Sequence, residues 1–182
     1  MDLLEEGLDE VRKNGQIPNE QANWALYLKG YVLRRHIEDL LLRTKGQMTK
    51  AIRLLLSESW LALINVDPGA SSQLRVSKLH QCGVLKMVEQ EFEIAIHWFK
   101  QSLAARQEID HKSEQSGKRS FRQAYEYRRI GQCLALLGQS QEALENCQVA
   151  LEITKKTEHV RLRREIEKDI QAFGLVETSK AK

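Results

Sequence analysis

The side chains capable of acid–base, nucleophilic or metal chemistry are scattered along this 182-residue sequence. None of its five histidines stands near a Ser–Asp or Cys partner in the order of a catalytic triad. The three cysteines form no CxxC pair, and no two histidines have the spacing of zinc ligands. An odd number of widely spaced cysteines also argues against a disulfide framework and favours a reducing compartment. We therefore expect a non-enzymatic protein with no catalytic residue, no metal site and no cofactor.

Two basic segments are the next candidates for chemistry, because clustered Lys and Arg side chains bind phosphate. Residues 112–123, KSEQSGKRSFRQ, lack the Gly-x4-Gly-Lys-Ser/Thr spacing of a phosphate-binding loop, so we interpret them as a solvated turn. Phosphorylation or anion binding at this turn stays an alternative. Residues 159–168, HVRLRREIEK, place three arginines close together, but neighbouring acidic residues reduce the positive field. We interpret this second segment as the solvated face of a capping helix, with nucleic-acid contact as the alternative.

The composition is that of an ordinary globular protein. Apolar residues make up 42% of the chain, and the formal net charge of +3 does not by itself favour a nucleic-acid or membrane partner. The N-terminus, MDLLEEGLDEVRKNG, begins with acidic residues, unlike a signal peptide, and no apolar run is long enough to cross a bilayer. We therefore expect no membrane insertion and a cytoplasmic protein, with a nuclear location as the alternative.

Nearly the whole chain has the periodicity of amphipathic helices, without β-alternation of useful length. Leu3, Leu4, Leu8 and Val11 share one face of a short first helix, which the sequence NGQIP then ends. The sequence thus predicts an all-α fold. Further helices are predicted over residues 19–43, 47–64, from about 73 onward and 159–173, followed by a flexible tail at 176–182.

Small residues recur at matching positions in two segments, 76–109 and 124–157. Small side chains at fixed intervals allow two helices to approach closely, while large neighbours fill the spaces beside them. The alignment therefore predicts that each segment is a pair of antiparallel helices. The aligned residues are Leu79 with Tyr127, Gly83 with Gly131, Ala95 with Ala143, Phe99 with Cys147 and Ser102 with Ala150.

This pattern resembles the tetratricopeptide repeat, in which an aromatic, a Leu-Gly pair, a second aromatic and Ala-x3-Phe occur over about 34 residues. The copies here start 48 residues apart, so the resemblance is to long-period members in the style of the kinesin light chain and Pins/LGN-type adaptors. The closing proline of the family is replaced by Gln107 and Lys155. A degenerate first copy is predicted over residues 23–64. There Gly30, Gly46 and Ala51 align with Gly131, Gly138 and Ala143.

The resemblance implies a right-handed α–α superhelix of about three hairpins, forming one domain over residues 1–175 with capping helices at both ends, the last at 159–173. In the family, the first helices of the hairpins line a concave groove that holds a partner's peptide or helix. The groove positions carried over to this chain are Trp24, Tyr27, Tyr31, Arg34, Ser77, His80, Val84, Met87, Tyr125, Arg128, Gln132 and Leu136.

The predicted groove residues include aromatic and arginine side chains, the types that carry most binding energy at interfaces. Arg128 is suited to a carboxylate or a phosphate, so we expect a protein partner with an acidic or C-terminal segment. The stripe of Trp24, Tyr27 and Tyr31 has a competing interpretation as buried core. The sequence therefore predicts a non-enzymatic adaptor or scaffold without a small-molecule substrate. A chaperone or assembly factor, a homo-oligomer and a nucleic-acid-associated helical protein stay open.

Overall fold

A computed structural model describes residues 19–67, 71–112 and 121–175 of the chain. These residues form seven α-helices and no strand, which confirms the all-α prediction. The predicted first helix at Leu3–Val11, the tail at 176–182 and residues 113–120 of the turn predicted over 112–123 lie outside the described residues. The two ends of that predicted turn are helical instead, since Lys112 ends one helix and residues 121–123 begin the next. The helices are α1 (Asn19–Arg43), α2 (Lys50–Ile64), α3 (Ser72–Val88), α4 (Phe92–Lys112), α5 (Phe121–Leu136), α6 (Ser140–Lys156) and α7 (Val160–Ala172).

Contacts divide the chain into two compact units, one ending at Gln81 and the other beginning at Cys82, within α3. The first unit holds α1, α2 and the first half of α3. The second holds the rest of α3 and the four helices that follow. The predicted single domain over residues 1–175 stays a prediction.

In the first unit, α1 and α2 form a hairpin whose helices are in close contact at a glycine of α1. A Cβ at Gly30 would lie 2.7 Å from Cγ of the buried Leu63. Ser59, also buried, donates a hydrogen bond from Oγ to the Gly30 carbonyl oxygen at 2.9 Å. The absent side chain at Gly30 therefore lets the two helices touch, as the sequence pattern predicts.

The alignment of the first copy is wrong at one position. Ala51 aligns with Ala143 in the sequence, but it is exposed on α2, and Ser59 takes the contact with Gly30 instead. The reason is the length of α1. Gly30 lies sixteen residues before the turn at Gly46, whereas Gly131 lies seven before Gly138. In an antiparallel hairpin, a contact residue that lies farther from the turn on the first helix meets a residue that lies equally farther from the turn on the second helix.

In the second unit, two hairpins repeat one geometry with a period of 48 residues. A Cβ at Gly83 would lie 2.6 Å from the ring of Phe99, and one at Gly131 would lie 2.8 Å from Sγ of Cys147. The sequence alignment superposes Gly83 on Gly131 and Phe99 on Cys147, so the two contacts are equivalent. The repeat of 76–109 in 124–157 is therefore visible in the packing around its glycines.

The turns of these two hairpins are also equivalent. Gln90 and Gly138 both have left-handed backbone, with φ of 62° and 77°. The amide after each donates to a carbonyl five residues earlier, Glu91 to Lys86 and Gln139 to Leu134, both at 2.9 Å. This is the Schellman arrangement that ends many helices, and it favours glycine. The sequence alignment overlooked Gln90 because glutamine is not a residue that marks a left-handed position.

The core of the second unit is continuous along α4, α5, α6 and α7, which pack in chain order. An apolar stripe of α7 is buried through Leu162 and Ile166. Cys133 and Cys147 are buried in this core, as helix-packing residues. Burial raises the pKa of the Cys133 thiol to about 12 and that of Cys147 to about 11.

Candidate partner-binding surfaces

Two of the groove positions predicted on α5, Arg128 and Gln132, contact the chain's own last helix. Arg128 donates from Nε to Oδ2 of Asp169 at 2.6 Å and also forms an ion pair with Glu165. Gln132 donates from Nε2 to the same Asp169 oxygen at 2.8 Å. Both acceptors lie on α7. Arg128 does bind carboxylates, as its chemistry predicts, but they belong to this chain.

The charge balance supports a stable internal pairing. Burial of the guanidinium favours its neutral form, but the hydrogen bond and charge of Asp169 and the charge of Glu165 outweigh burial, so the pKa of Arg128 is raised above its ordinary value. The Arg128 and Asp169 side chains are only 15% and 16% exposed. The prediction that Arg128 and Gln132 line an open groove is therefore corrected, because both are contacts between α5 and α7.

Tyr125, another predicted groove position on α5, is also partly covered. His159 stacks on Phe121 with ring centroids 4.9 Å apart and meets the Tyr125 ring edge-on at 6.2 Å. The Nδ1 atom of His159 accepts a hydrogen bond from the Leu162 amide at the start of α7. Tyr125 thus packs beside the junction of α6 and α7.

Two predicted groove residues on the second half of α3 belong to the core or its edge. Val84 is only 3% exposed, which corrects its assignment to a surface groove. Met87 is half-buried and packs against the core of the second unit. Leu136, at the end of α5, is exposed.

On α1, the predicted aromatic stripe forms a ladder of rings. Trp24 meets Tyr27 edge-on at 5.7 Å between centroids, and Tyr27 stacks on Tyr31 at 6.4 Å. The guanidinium of Arg34 lies 5.0 Å from the centroid of the Tyr31 ring and pairs with Glu38. Arg34 itself is 7% exposed, so its predicted role as an open groove residue is corrected to that of a buried support for Tyr31.

Tyr27 joins α1 to α3 within the first unit. Burial raises the pKa of its phenol, while hydrogen bonds with the side chains of Ser77 and Gln81 offset part of that rise. Trp24 and Tyr27 are half-buried, and Tyr31 is exposed. The interpretation as core therefore fits part of the aromatic stripe, at Trp24 and Tyr27, and the interpretation as surface fits Tyr31. His80, on α3, is half-buried.

Tyr27 and Arg128 occupy the same place in their hairpins, three residues before the contact glycine. Each bonds to two side chains four residues apart on the helix that follows the hairpin. For Tyr27 these are Ser77 and Gln81, and for Arg128 they are Glu165 and Asp169. A signal for the second pair exists in the sequence, because Glu165 and Asp169 stand four apart beside the apolar stripe of α7.

Two exposed apolar residues near the ladder were missed by sequence reasoning. Leu28 and Val32 are 49% and 54% exposed. Each helical residue turns the direction of its side chain by about 100°, so residues two positions either side of Gly30 point away from α2. Trp24 and Tyr31 lie beside them on the helix. We call Trp24, Leu28, Tyr31 and Val32 the α1 face.

Exposed apolar side chains are concentrated in the first unit, where they extend beyond the α1 face. Large exposed patches of this kind mark interaction surfaces more often than isolated exposed residues do. The second unit contributes Ile94, Leu136, Val160 and Phe173, spread over four places in the sequence. The first unit contributes Leu28, Tyr31, Val32, Leu42, Leu54, Leu61 and Ile64.

Two further kinds of feature, a metal-binding cluster and a membrane-spanning helix, are not found in the described part of the chain. No group of three or more His, Cys, Asp or Glu side chains there is placed to hold a metal ion. No helix among the described residues combines the length and apolar character needed to cross a membrane. Comparison of the sequence with protein-family models gives no match, and searches among curated proteins and solved structures give no significant match.

Proposed function

We propose that this protein is a non-enzymatic cytoplasmic scaffold of tetratricopeptide type that binds a helix of a partner protein on the α1 face. The observation that carries the proposal is the exposure of Leu28 and Val32 next to the half-buried ring of Trp24 and the exposed ring of Tyr31. Aromatic residues with an apolar surround are the usual centre of a protein interface. No catalytic group or cofactor is needed for this role.

The spacing of the α1 face favours a helical partner. Trp24, Leu28 and Tyr31 follow one another at intervals of four and three residues, and Trp24 and Tyr31 are the two end rings of the ladder. An amphipathic helix presents its apolar side chains at the same intervals, so two such stripes can pack side by side along their length. An extended peptide, with side chains alternating between two sides, matches this stripe less well.

The repeated hairpins support the scaffold part of the proposal. Three glycines, Gly30, Gly83 and Gly131, each sit against a large or polarisable side chain of the following helix. Similar hairpins in succession are the building principle of tetratricopeptide proteins, and we infer the right-handed superhelix from that principle. A chaperone holding one subunit of a complex would use the same apolar face, with an unfolded or unassembled client as its partner.

The test is affinity capture from the native source with the double variant Leu28→Glu/Val32→Glu beside the natural chain. We expect the variant to lose the partner while its circular dichroism is unchanged, because both side chains already face solvent. Ile94→Glu is a matched control, since Ile94 is 46% exposed on the second unit. If Leu28→Glu/Val32→Glu retains every partner that the natural chain captures, the α1 face is not the binding surface.

A second candidate function, association with nucleic acid, is favoured by one observation on α7. Asp169 faces Arg128, so it neutralises less of the outer surface than the sequence suggested, whereas Glu165 pairs with both Arg128 and the exposed Arg161. Arg161, Arg164 and Lys168 are exposed on α7. Binding through them would give heparin retention with a steep salt dependence that Arg164→Glu/Lys168→Glu abolishes. Retention unchanged by that variant would exclude this candidate.

A further inference from the structure

The α1 face is bordered by positive charge. Lys29 and Arg43 lie on the side of α1 next to Val32. The described residues of the first unit, 19–67 and 71–81, include nine Lys or Arg and five Asp or Glu. An occupant of the α1 face should therefore combine an apolar stripe with acidic residues beside it.

The chain contains one segment with this chemistry, directly before α1. Residues 2–12, DLLEEGLDEVR, lie outside the described part of the structure, but their sequence holds five acidic residues and one basic residue. Leu4, Leu8 and Val11 recur at intervals of four and three, like the residues of the α1 face. The segment matches the face in both apolar spacing and charge.

The distances along the chain also fit a hairpin. In the hairpins described above, residues in contact lie at nearly equal separations from the turn, as Gly131 and Cys147 do around Gly138. The next break toward the N-terminus is the sequence NGQIP, which ends at Pro18. Counted from Pro18, Leu8 and Leu28 are each ten residues away, and Val11 and Trp24 are seven and six residues away.

We propose that the chain's own N-terminal segment, residues 2–12, binds the α1 face and competes there with the partner helix. Only the competition with a partner helix rests on the proposed function, since occupation of the α1 face by residues 2–12 is independent of any partner. Gly7 lies in the middle of the segment and disfavours a helix there. The segment is therefore a weak occupant that a partner of similar chemistry, but better helix propensity, displaces.

Trp24 reports on occupation directly. In a Trp60→Phe/Trp98→Phe background, the other two tryptophans of the chain are removed and emission comes from Trp24 alone. Deletion of residues 1–14, or Leu4→Glu/Leu8→Glu in the full chain, should shift the emission to longer wavelength because water reaches the ring. An emission maximum unchanged by both alterations would overturn the proposal. So would a shift that depends on protein concentration, which would place the segment on a second copy.

The second measurement supplies the segment in trans. A synthetic peptide of residues 1–14 should bind the chain lacking those residues and restore the emission of Trp24. A peptide carrying Glu at positions 4 and 8 should bind at least about tenfold more weakly. Val32→Glu in the truncated chain should cause a similar loss. Failure of the natural peptide to bind the truncated chain would refute the proposed contact.

Competition with the partner is tested by two changes of opposite direction. Gly7→Ala should strengthen the segment and reduce partner capture, whereas removal of residues 1–14 should increase it. If the emission and peptide results hold but neither change alters capture, the partner does not share the α1 face and the proposed function fails while the internal contact stands. If capture depends on Val32 but the peptide does not bind, the proposed function stands and the internal contact of residues 2–12 is refuted.

Discussion

Replacing Gly83 by alanine tests the helix contact on which the repeat depends. A Cβ at this position would lie 2.6 Å from Cε1 of Phe99 and 2.8 Å from two further ring atoms. The Phe99 ring is completely buried, so it has no open space into which to move. The added methyl group must therefore push α3 and α4 apart or force the ring from its preferred rotamer.

Two effects of opposite sign set the magnitude for Gly83→Ala. Alanine in the middle of a helix is favoured over glycine by about 1 kcal/mol. Overpacking a tight core contact costs about 1–3 kcal/mol. The contact is closer than ordinary van der Waals separation and its neighbour is buried, so we expect overpacking to exceed the propensity gain, with a net loss of about 1 kcal/mol in the free energy of unfolding.

Urea denaturation followed by circular dichroism measures this difference. The companion variant Gly83→Ala/Phe99→Leu provides the control, because a smaller side chain at position 99 relieves the clash. The double variant should then be less destabilised than the sum of the two single variants, by about 1 kcal/mol. If Gly83→Ala instead raises the stability by about 1 kcal/mol, only helix propensity is acting, and the close approach at Gly83 is refuted.

Three further predictions concern the turns, the first-unit tyrosine and the buried thiols. Gln90→Gly should raise the free energy of unfolding by about 1 kcal/mol, and Gly138→Gln should lower it by a similar amount, because both positions have left-handed backbone. If denaturation shows that both substitutions change the free energy of unfolding in the same direction, the two turns are not equivalent. Tyr27, whose pKa burial raises, should ionise above the usual pH of tyrosine in an ultraviolet titration, and its contribution to stability should be intact below about pH 10 and lost as the pH rises further. Tyr27→Phe should remove that late-titrating component, and a titration unchanged by the substitution would count against burial. Cys133 and Cys147 should resist alkylation at pH 8 until the protein is denatured, and rapid labelling of the native protein at either would show that the core around it opens.

The helices and the close contacts of the second unit follow from local sequence pattern. Apolar periodicity locates the helices, and the interval from Gly131 to Cys147 places a small residue opposite a larger one across the turn. Both signals act over fewer than twenty residues, within a single hairpin. Pattern therefore suffices wherever the contact residues of a hairpin lie as far from the turn as their counterparts in the repeat.

The failures arise where a contact depends on the length of an element or on a distant helix. Ala51 was matched to Ala143 by its distance from a turn, but the longer α1 moves the contact to Ser59. Arg128 was given to a partner because its carboxylates, on Asp169 and Glu165, are about forty residues away in sequence. Neither outcome is encoded in the neighbourhood of the residue concerned.

The exposure of Leu28 and Val32 was missed for a different reason. Family positions directed attention to the side of α1 that faces α3, where Tyr27 bonds to Ser77 and Gln81. In an apolar helix, the periodic pattern alone does not distinguish a stripe covered by a neighbour from one left open. That distinction needs the positions of the other helices.

The longer arms of the α1–α2 hairpin imply a rule for how such a protein can change in evolution. Gly30 and Leu63 remain in register although each lies about nine residues farther from its turn than Gly131 and Cys147 do from theirs. A single insertion on one side of Gly46 would shift every facing pair out of alignment. Insertions or deletions near this loop should consequently survive only as compensating pairs, one on either side. Homologous hairpins would then differ in length while keeping the same contact at the glycine.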